Sequence, residues 1–557
     1  MWGGRYHNAV GLLSGRAQKA GEDMSEEQLN AVEEKKPDKA KYMRLIYVLQ
    51  WIFLLFWRFY VYLAYNVHYT DDDQTLMWYG TVHFAHGHFS EPCFFGQNYG
   101  SMLESLLAVP LYLFKVPLNY ALPLAALILS LIPFAFCSLF LWKRGKRIPA
   151  MMILVPLFWL GWQTDVLFTL PRALICGFPF AVIGMVLLCD PKAGRIRCII
   201  GAFLCGLAFC MNQTAAAMAG IAALSLVIYK EKKKIIPALA GLALGGGCFA
   251  LTQLFYKLNP QYCVHRVIPG GVGLSYLIDN ISNIPDLLAD FFAVSPIAFA
   301  VIPIVLIGAA AWCFYKKRNK EGIITLAAVL GSALFLLTDK STDYMPGSLL
   351  YGQSRIFLFA PFLAAGVYTI NSLRSEDEQV KKSTFMILGT ICVSGLLAKG
   401  FFFELNRTDG GSALYHDTVL NPDGFVVGVT EVEPMMEQVD LAGELMQETG
   451  SAALALRNGV YVRDGRTFLP YRSFIYAFSS KYYDEPFEAF LPVYDRRTWV
   501  YEKLSEAKGG MMLLITYPLQ SAEDILLVEL GEDSPVDWFI ENLGLHRTYL
   551  EYPVDVF

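Results

Sequence analysis

Three consecutive aspartates, Asp71-Asp72-Asp73, follow directly on an apolar stretch at 43–66. They open a segment, 72–86, whose apolar residues recur at helical spacing. Two readings of this acidic run stand side by side. In one, Thr70 or Asp71 caps the helix and the next acids complement its dipole, which employs one or two acids but not three. In the other, the acids have a function of their own. A further acid, Glu104, stands at the mouth of the apolar segment 102–117, just after Tyr99-Gly100. At that depth a carboxylate is costly unless it is paired or faces an aqueous cavity. Asp165 and Arg172 frame a short loop, as a mutual salt bridge or as lining of the same cavity. Arg355 opens a late apolar stretch, where it either snorkels to the interface or pairs with an anion. Arg58, inside the first apolar stretch, is a functional hint by default but also fits snorkelling. His83 and His86 are i, i+3 neighbours with His88 close by, and they read as polar interfacial residues rather than a metal site. No cofactor is expected, and a divalent metal is not predicted.

The elements that must hold these residues are membrane spans. The chain of 557 residues is 55% hydrophobic and 17% charged, with mean hydropathy +0.40, more apolar and less charged than a soluble globular chain. The excess falls in blocks of about 16 to 24 residues, the length that crosses a hydrocarbon core about 30 Å thick. Eleven such blocks run roughly over 43–66, 120–142, 148–164, 173–189, 198–213, 215–229, 235–256, 294–314, 322–337, 356–373 and 383–402. The segment 102–117 carries Glu104, Pro110, Lys115 and Pro117 and reads as re-entrant or interfacial. Basic residues cluster at Lys143–Arg147, Lys192–Arg197, Lys230–Lys234, Lys316–Lys320 and Arg374–Lys382, whereas the alternate loops hold few. That asymmetry puts the basic loops in the cytoplasm, with the N-terminus inside and the C-terminus outside the plasma membrane.

The expected fold is therefore an all-α polytopic membrane domain of about eleven helices with a small extracytoplasmic α/β domain. Residues 1–41 read as a cytoplasmic disordered tail, 42–403 as the membrane domain with outer loop 67–119, and 404–557 as the displayed domain. In the last, Glu431–Glu448 has a helical pattern, while Ala453–Val462 and Met511–Thr516 are strand-like. Eleven cysteines lie between Cys93 and Cys392, mostly inside apolar blocks, so the C-terminal region does not rely on disulfides. No basic tract suggests nucleic acid.

An acidic pair straight after the first span, a short helix, then Gly96-Gln97-x-Tyr99-Gly100-x-x-x-Glu104 leading into a re-entrant segment resembles the GT-C fold membrane glycosyltransferases. The resemblance is to the family 39-like group, relatives of protein O-mannosyltransferases and of the lipid A aminoarabinose transferase. Tyr351-Gly352-Gln353-Ser354-Arg355 is a weaker part of it. The resemblance implies a polyprenyl-phosphate sugar donor, a protein or glycan acceptor reached from outside, and no covalent enzyme intermediate. It implies Asp71, Asp72 and Glu104 as catalytic residues, with Tyr99, Asp165, Arg172 and Arg355 binding substrate. Two other classes were weighed. A transporter or flippase of lipid-linked sugars predicts half-repeats and charged or Gly/Pro-broken helices near mid-membrane, whereas the sequence shows no repeat and its acids collect at one surface. A non-catalytic envelope assembly protein leaves the acidic loop without a role.

Overall fold

In the computed structural model, the described residues are 39–70, 72–89, 91–95, 97–173, 175–262, 273–279, 297–333, 337, 352–375, 382–408, 418–420, 426–428, 430–432, 453–458, 461–463, 466–468, 474–476, 510–517 and 525–533. The helical part begins with α1 (Lys39–Val61), a π-turn at Tyr62–Asn66, β1 (Tyr69–Thr70), α2 (Asp72–Ala85), α3 (Leu103–Leu113) and α4 (Leu118–Lys143). It continues with the short helices α5 (Arg147–Met152), α6 (Val155–Trp159) and α7 (Trp162–Leu167), then α8 (Gly177–Cys189), α9 (Arg195–Met211), α10 (Ala216–Ile228) and α11 (Lys232–Leu258). The last four helices are α12 (Ile297–Tyr315), α13 (Asn319–Ala333), α14 (Gly352–Arg374) and α15 (Lys382–Thr408).

The chain is a membrane protein dominated by apolar helices. Among the described residues, Lys41–Asn66, Leu118–Lys143, Lys232–Leu258 and Thr384–Phe401 are long and apolar enough to cross a membrane, and shorter apolar helices accompany them. The block expected as one span over 148–164 is instead broken into α5, α6 and α7. Pro149 and Pro156 lie in the first turns of α5 and α6, where a missing backbone N–H is tolerated, and Gly161 immediately precedes α7. The helix α3 has 11 residues and is about 16 Å long, roughly half a hydrocarbon core.

Small residues bring the central helices together. A Cβ added to Gly245 of α11 would lie 2.7 Å from the Gly206 Cα of α9, so these backbones touch in the way that membrane helices use glycine. The largest apolar core joins α1, α4, α8, α10 and α14 through residues such as Leu54, Phe134, Phe178, Ile221 and Phe362. A smaller core joins α2, α3 and α4 through Met77, Trp78, Met102, Ala108 and Leu122.

The expected basic loops meet at one end of the bundle. Arg144 and Arg197 pair with buried Asp190, Arg374 pairs with Glu231 at 2.9 Å, and the Lys320 ammonium lies over the Tyr229 ring. At the other end, residues 91–98 are held by the C-terminal turns of α11. The Cys93 backbone N–H donates to the Tyr256 hydroxyl at 3.1 Å, and that hydroxyl donates to Glu91 at 3.0 Å. Asn98 and Gln253 exchange two hydrogen bonds, of 3.2 and 3.0 Å.

Beyond α15 come strands β2 (Thr418–Leu420), β3 (Val426–Gly428), β4 (Thr430–Glu431), β5 (Ala453–Asn458), β6 (Tyr461–Arg463), β7 (Arg466–Phe468), β8 (Phe474–Tyr476), β9 (Met511–Tyr517) and β10 (Ile525–Glu529). Four form a mixed sheet in the order β10-β9-β5-β8, with β5 parallel to β9 and the other pairs antiparallel. The expected strands over Ala453–Val462 and Met511–Thr516 correspond to β5 with β6 and to β9. Of the helix expected over Glu431–Glu448, Glu431 is in β4 and Val432, the next residue, is already helical, while 433–452 lie outside the described residues.

Candidate functional site

Glu104 lies in the first turn of α3, where a carboxylate is favoured by the helix dipole. Polar side chains lock α3 against α2. The Ser105 hydroxyl donates to the Met77 carbonyl at 2.8 Å, and the Thr81 hydroxyl approaches the Ser105 carbonyl at 3.2 Å. Met77 is five positions past Asp72, about 7.5 Å along the helix. The α2 end that carries the acidic residues is thus packed within two turns of Glu104.

Three further pieces of chain converge there. Gly100 has φ +77°, a conformation that glycine adopts without strain, and a Cβ on it would meet Ala173 Cβ at 3.7 Å. Ala173 itself has φ 59°, which is costly for a residue with a side chain. Such strain persists only where surrounding contacts over-determine it. Ala173 also packs on the apolar cluster of α2 and α3. The Tyr99-Gly100 turn, Glu104 and the Arg172-bearing loop therefore form one neighbourhood. Tyr99 and Arg172 are half-buried in it.

Glu104 is fully buried, and neither carboxylate oxygen has a well-formed hydrogen bond among the described residues. Burial pushes its carboxyl up to about 7. The nearby backbone N–H groups of Glu104 and Ala173 favour the charged form but do not offset that burial. A carboxyl so placed holds or gives a proton near neutral pH.

Asp165 belongs to a different cluster. It is fully buried on α7, and its ion-pair partners are Arg58 of α1 at 3.0 Å and Lys399 of α15 at 2.6 Å, rather than Arg172. The Trp57 indole N–H donates to it at 2.6 Å, and Lys399 also donates to the Leu157 carbonyl at 2.8 Å. Arg58 is 1% exposed and lies over the Phe168 ring, so it is buried among helices and does not snorkel.

Sequence reasoning missed Lys399, Gln253 and Tyr256, and it read Trp57 as an aromatic of the membrane interface rather than as a partner of Asp165. Lys399 near the end of the last apolar block was the one available signal, an ionisable residue within a span. Asp71 lies outside the described residues, as do the side chains of Asp72, Asp73 and Arg355; Asp72 is the first residue of α2, and Arg355 lies in the first turn of α14. The His86 ring nitrogen Nδ1 lies 2.9 Å from the Val82 carbonyl, and among the described residues no group of three or more His, Cys, Asp or Glu is placed to hold a metal.

No family model matches the chain, and no curated protein matches it. Among solved structures, the chain is similar to ArnT from Cupriavidus metallidurans in the apo state, with 86% of this chain and 94% of that one covered, 11% identity and a TM-score of 0.45.

Proposed function

We propose that this protein is a membrane glycosyltransferase of the GT-C type, which transfers a sugar from a polyprenyl-phosphate-linked donor to an acceptor hydroxyl on the extracytoplasmic face. The observation that supports it most directly is Glu104: a fully buried carboxylate without a well-formed hydrogen bond among the described residues, packed beside the helix that starts at the acidic run. Burying such a group has no structural benefit. A substrate hydroxyl or sugar ring hydroxyl supplies the missing partner.

In this mechanism the acceptor hydroxyl oxygen attacks the anomeric carbon as the bond from that carbon to the phosphate oxygen breaks. Asp71 or Asp72 accepts the hydroxyl proton, and the electron pair leaves with the lipid phosphate. Arg355 has the role of offsetting the growing phosphate charge. Tyr99 and Arg172 border the sugar, and Glu104 orients a hydroxyl of sugar or acceptor. The sequence resemblance in Asp71-Asp72 and Gly96-Gln97-x-Tyr99-Gly100-x-x-x-Glu104 supports the same roles.

The test is transfer by purified protein in liposomes from a panel of synthetic polyprenyl-phosphate-linked pentoses and hexoses, with total envelope extract as acceptor. Asp72→Asn abolishes transfer while the protein stays folded and monodisperse. Full activity in both Asp71→Asn and Asp72→Asn overturns the general-base assignment. Sugar flux across vesicles with no new glycosidic bond replaces this reading with a transporter.

A further inference from the structure

The segment Thr430–Val432 is more than 350 positions from the acidic run, beyond the last apolar helix. Its backbone nevertheless closes on the residues just before that run. In the antiparallel pair of β1 with β4, Tyr69 stands opposite Glu431 and Thr70 opposite Thr430. The Val432 N–H extends the ladder by donating to the His68 carbonyl at 2.8 Å. A ladder this short does not hold by itself. Its anchor is the Val432 side chain, 3% exposed, in the apolar cluster of Met77, Trp78, Phe84 and Met102. The same cluster carries Ala173, beside Glu104. One three-residue piece of the C-terminal region therefore touches both the chain leading into α2 and the packing between α2 and α3.

We propose that Thr430–Val432 is a positioning clasp, which fixes His68–Thr70 and so sets the height and angle at which α2 offers its acidic N-terminus to the reacting groups. This rests on the transferase reading above. The clasp acts through α2 and does not touch substrate. Its effect is on rate, because small misplacements of a catalytic group slow the chemical step. It also gives the C-terminal region a task in catalysis, since any ligand that shifts Thr430–Val432 shifts the acidic run.

The experiment has two arms, both on the full chain. In the first, Tyr69→Cys with Glu431→Cys is oxidised and its peptides are read by mass spectrometry. Directly opposed strand positions are within disulfide reach, so the cross-link forms and the cross-linked protein keeps transfer activity. In the second, Val432→Ala lowers kcat by about tenfold with donor KM within about twofold of wild type. Val432→Ile restores kcat, and so does adding the cross-link to Val432→Ala. A disulfide that does not form overturns the clasp. So does wild-type kcat in Val432→Ala, or a loss that the cross-link and Val432→Ile both leave unrepaired. A wild-type chain that transfers no sugar overturns the transferase reading and this role with it, whereas an active wild type with an unaffected Val432→Ala overturns this role alone.

Discussion

Asp165 and Glu104 are both carboxylates with no solvent exposure, and the fold treats them in opposite ways. Asp165 has two cations and an indole N–H within 3.0 Å. Glu104 has no well-formed hydrogen bond among the described residues. The first arrangement ties α1, α7 and α15 at one point, and each partner offsets the desolvation of the others. In the second, desolvation outweighs the nearby backbone N–H groups and so raises the carboxyl's affinity for a proton. One carboxylate is fastened by its partners and the other is buried with little to hold its charge, although as residues in a sequence the two look alike.

The comparison breaks most visibly at Asp165. Asp165→Asn leaves Arg58 and Lys399 buried without a counter-charge, and removing one partner of such a group costs about 3–5 kcal/mol. Thermal unfolding in detergent shows a large loss, and residual transfer activity tracks the fraction still folded. Activity lost in a protein of wild-type stability would instead make Asp165 a substrate ligand.

Glu104→Gln has the reverse signature: transfer falls and the fold does not suffer. The sign with pH follows from the raised carboxyl. Between about 4.5 and about 7 the native chain keeps a proton that the unfolded chain releases, so native stability falls as pH rises through that window and levels off above it. Glu104→Gln removes the slope and is more stable than wild type by roughly 3 kcal/mol above pH 7, with no difference near pH 4.5. Unfolding measured at several pH values checks this, and parallel wild-type and variant curves would mean that the carboxylate is solvated or paired.

Lys399→Met sharpens the contrast from the other side. It removes the surplus cation and the bond to the Leu157 carbonyl while Asp165 keeps Arg58, so the expected loss is about 1–2 kcal/mol, well below that of Asp165→Asn. The smallest effect is at Gly100→Ala, where a left-handed backbone costs about 1 kcal/mol with a side chain and the new Cβ meets Phe94 Cβ at 3.3 Å. Its slight loss of stability is accompanied by a change in donor KM, because the turn carries Tyr99 to the site.

Length and hydropathy alone made the chain a helical membrane protein, because a span needs only a run of apolar residues and that run is local. The same local logic gave helical spacing over 72–86, set 102–117 apart from the spans by its Glu104, Pro110, Lys115 and Pro117, and put Glu104 at its mouth. It also grouped the basic loops, which the structure brings to one end of the bundle. It failed where distant segments decide. Nothing near Asp165 in the chain points to Arg58 or Lys399, which are over 100 and over 230 positions away; local reasoning offered Arg172 because it was close by. The block over 148–164 read as one span because hydropathy counts apolar residues and does not register where the backbone ends one helix and begins the next. The helical pattern from Glu431 begins one residue late, at Val432, because pairing with Tyr69 draws Glu431 into a strand. Which acid is paired and which is left open is a property of packing, since desolvation and ion pairing both depend on neighbours that only the folded chain supplies.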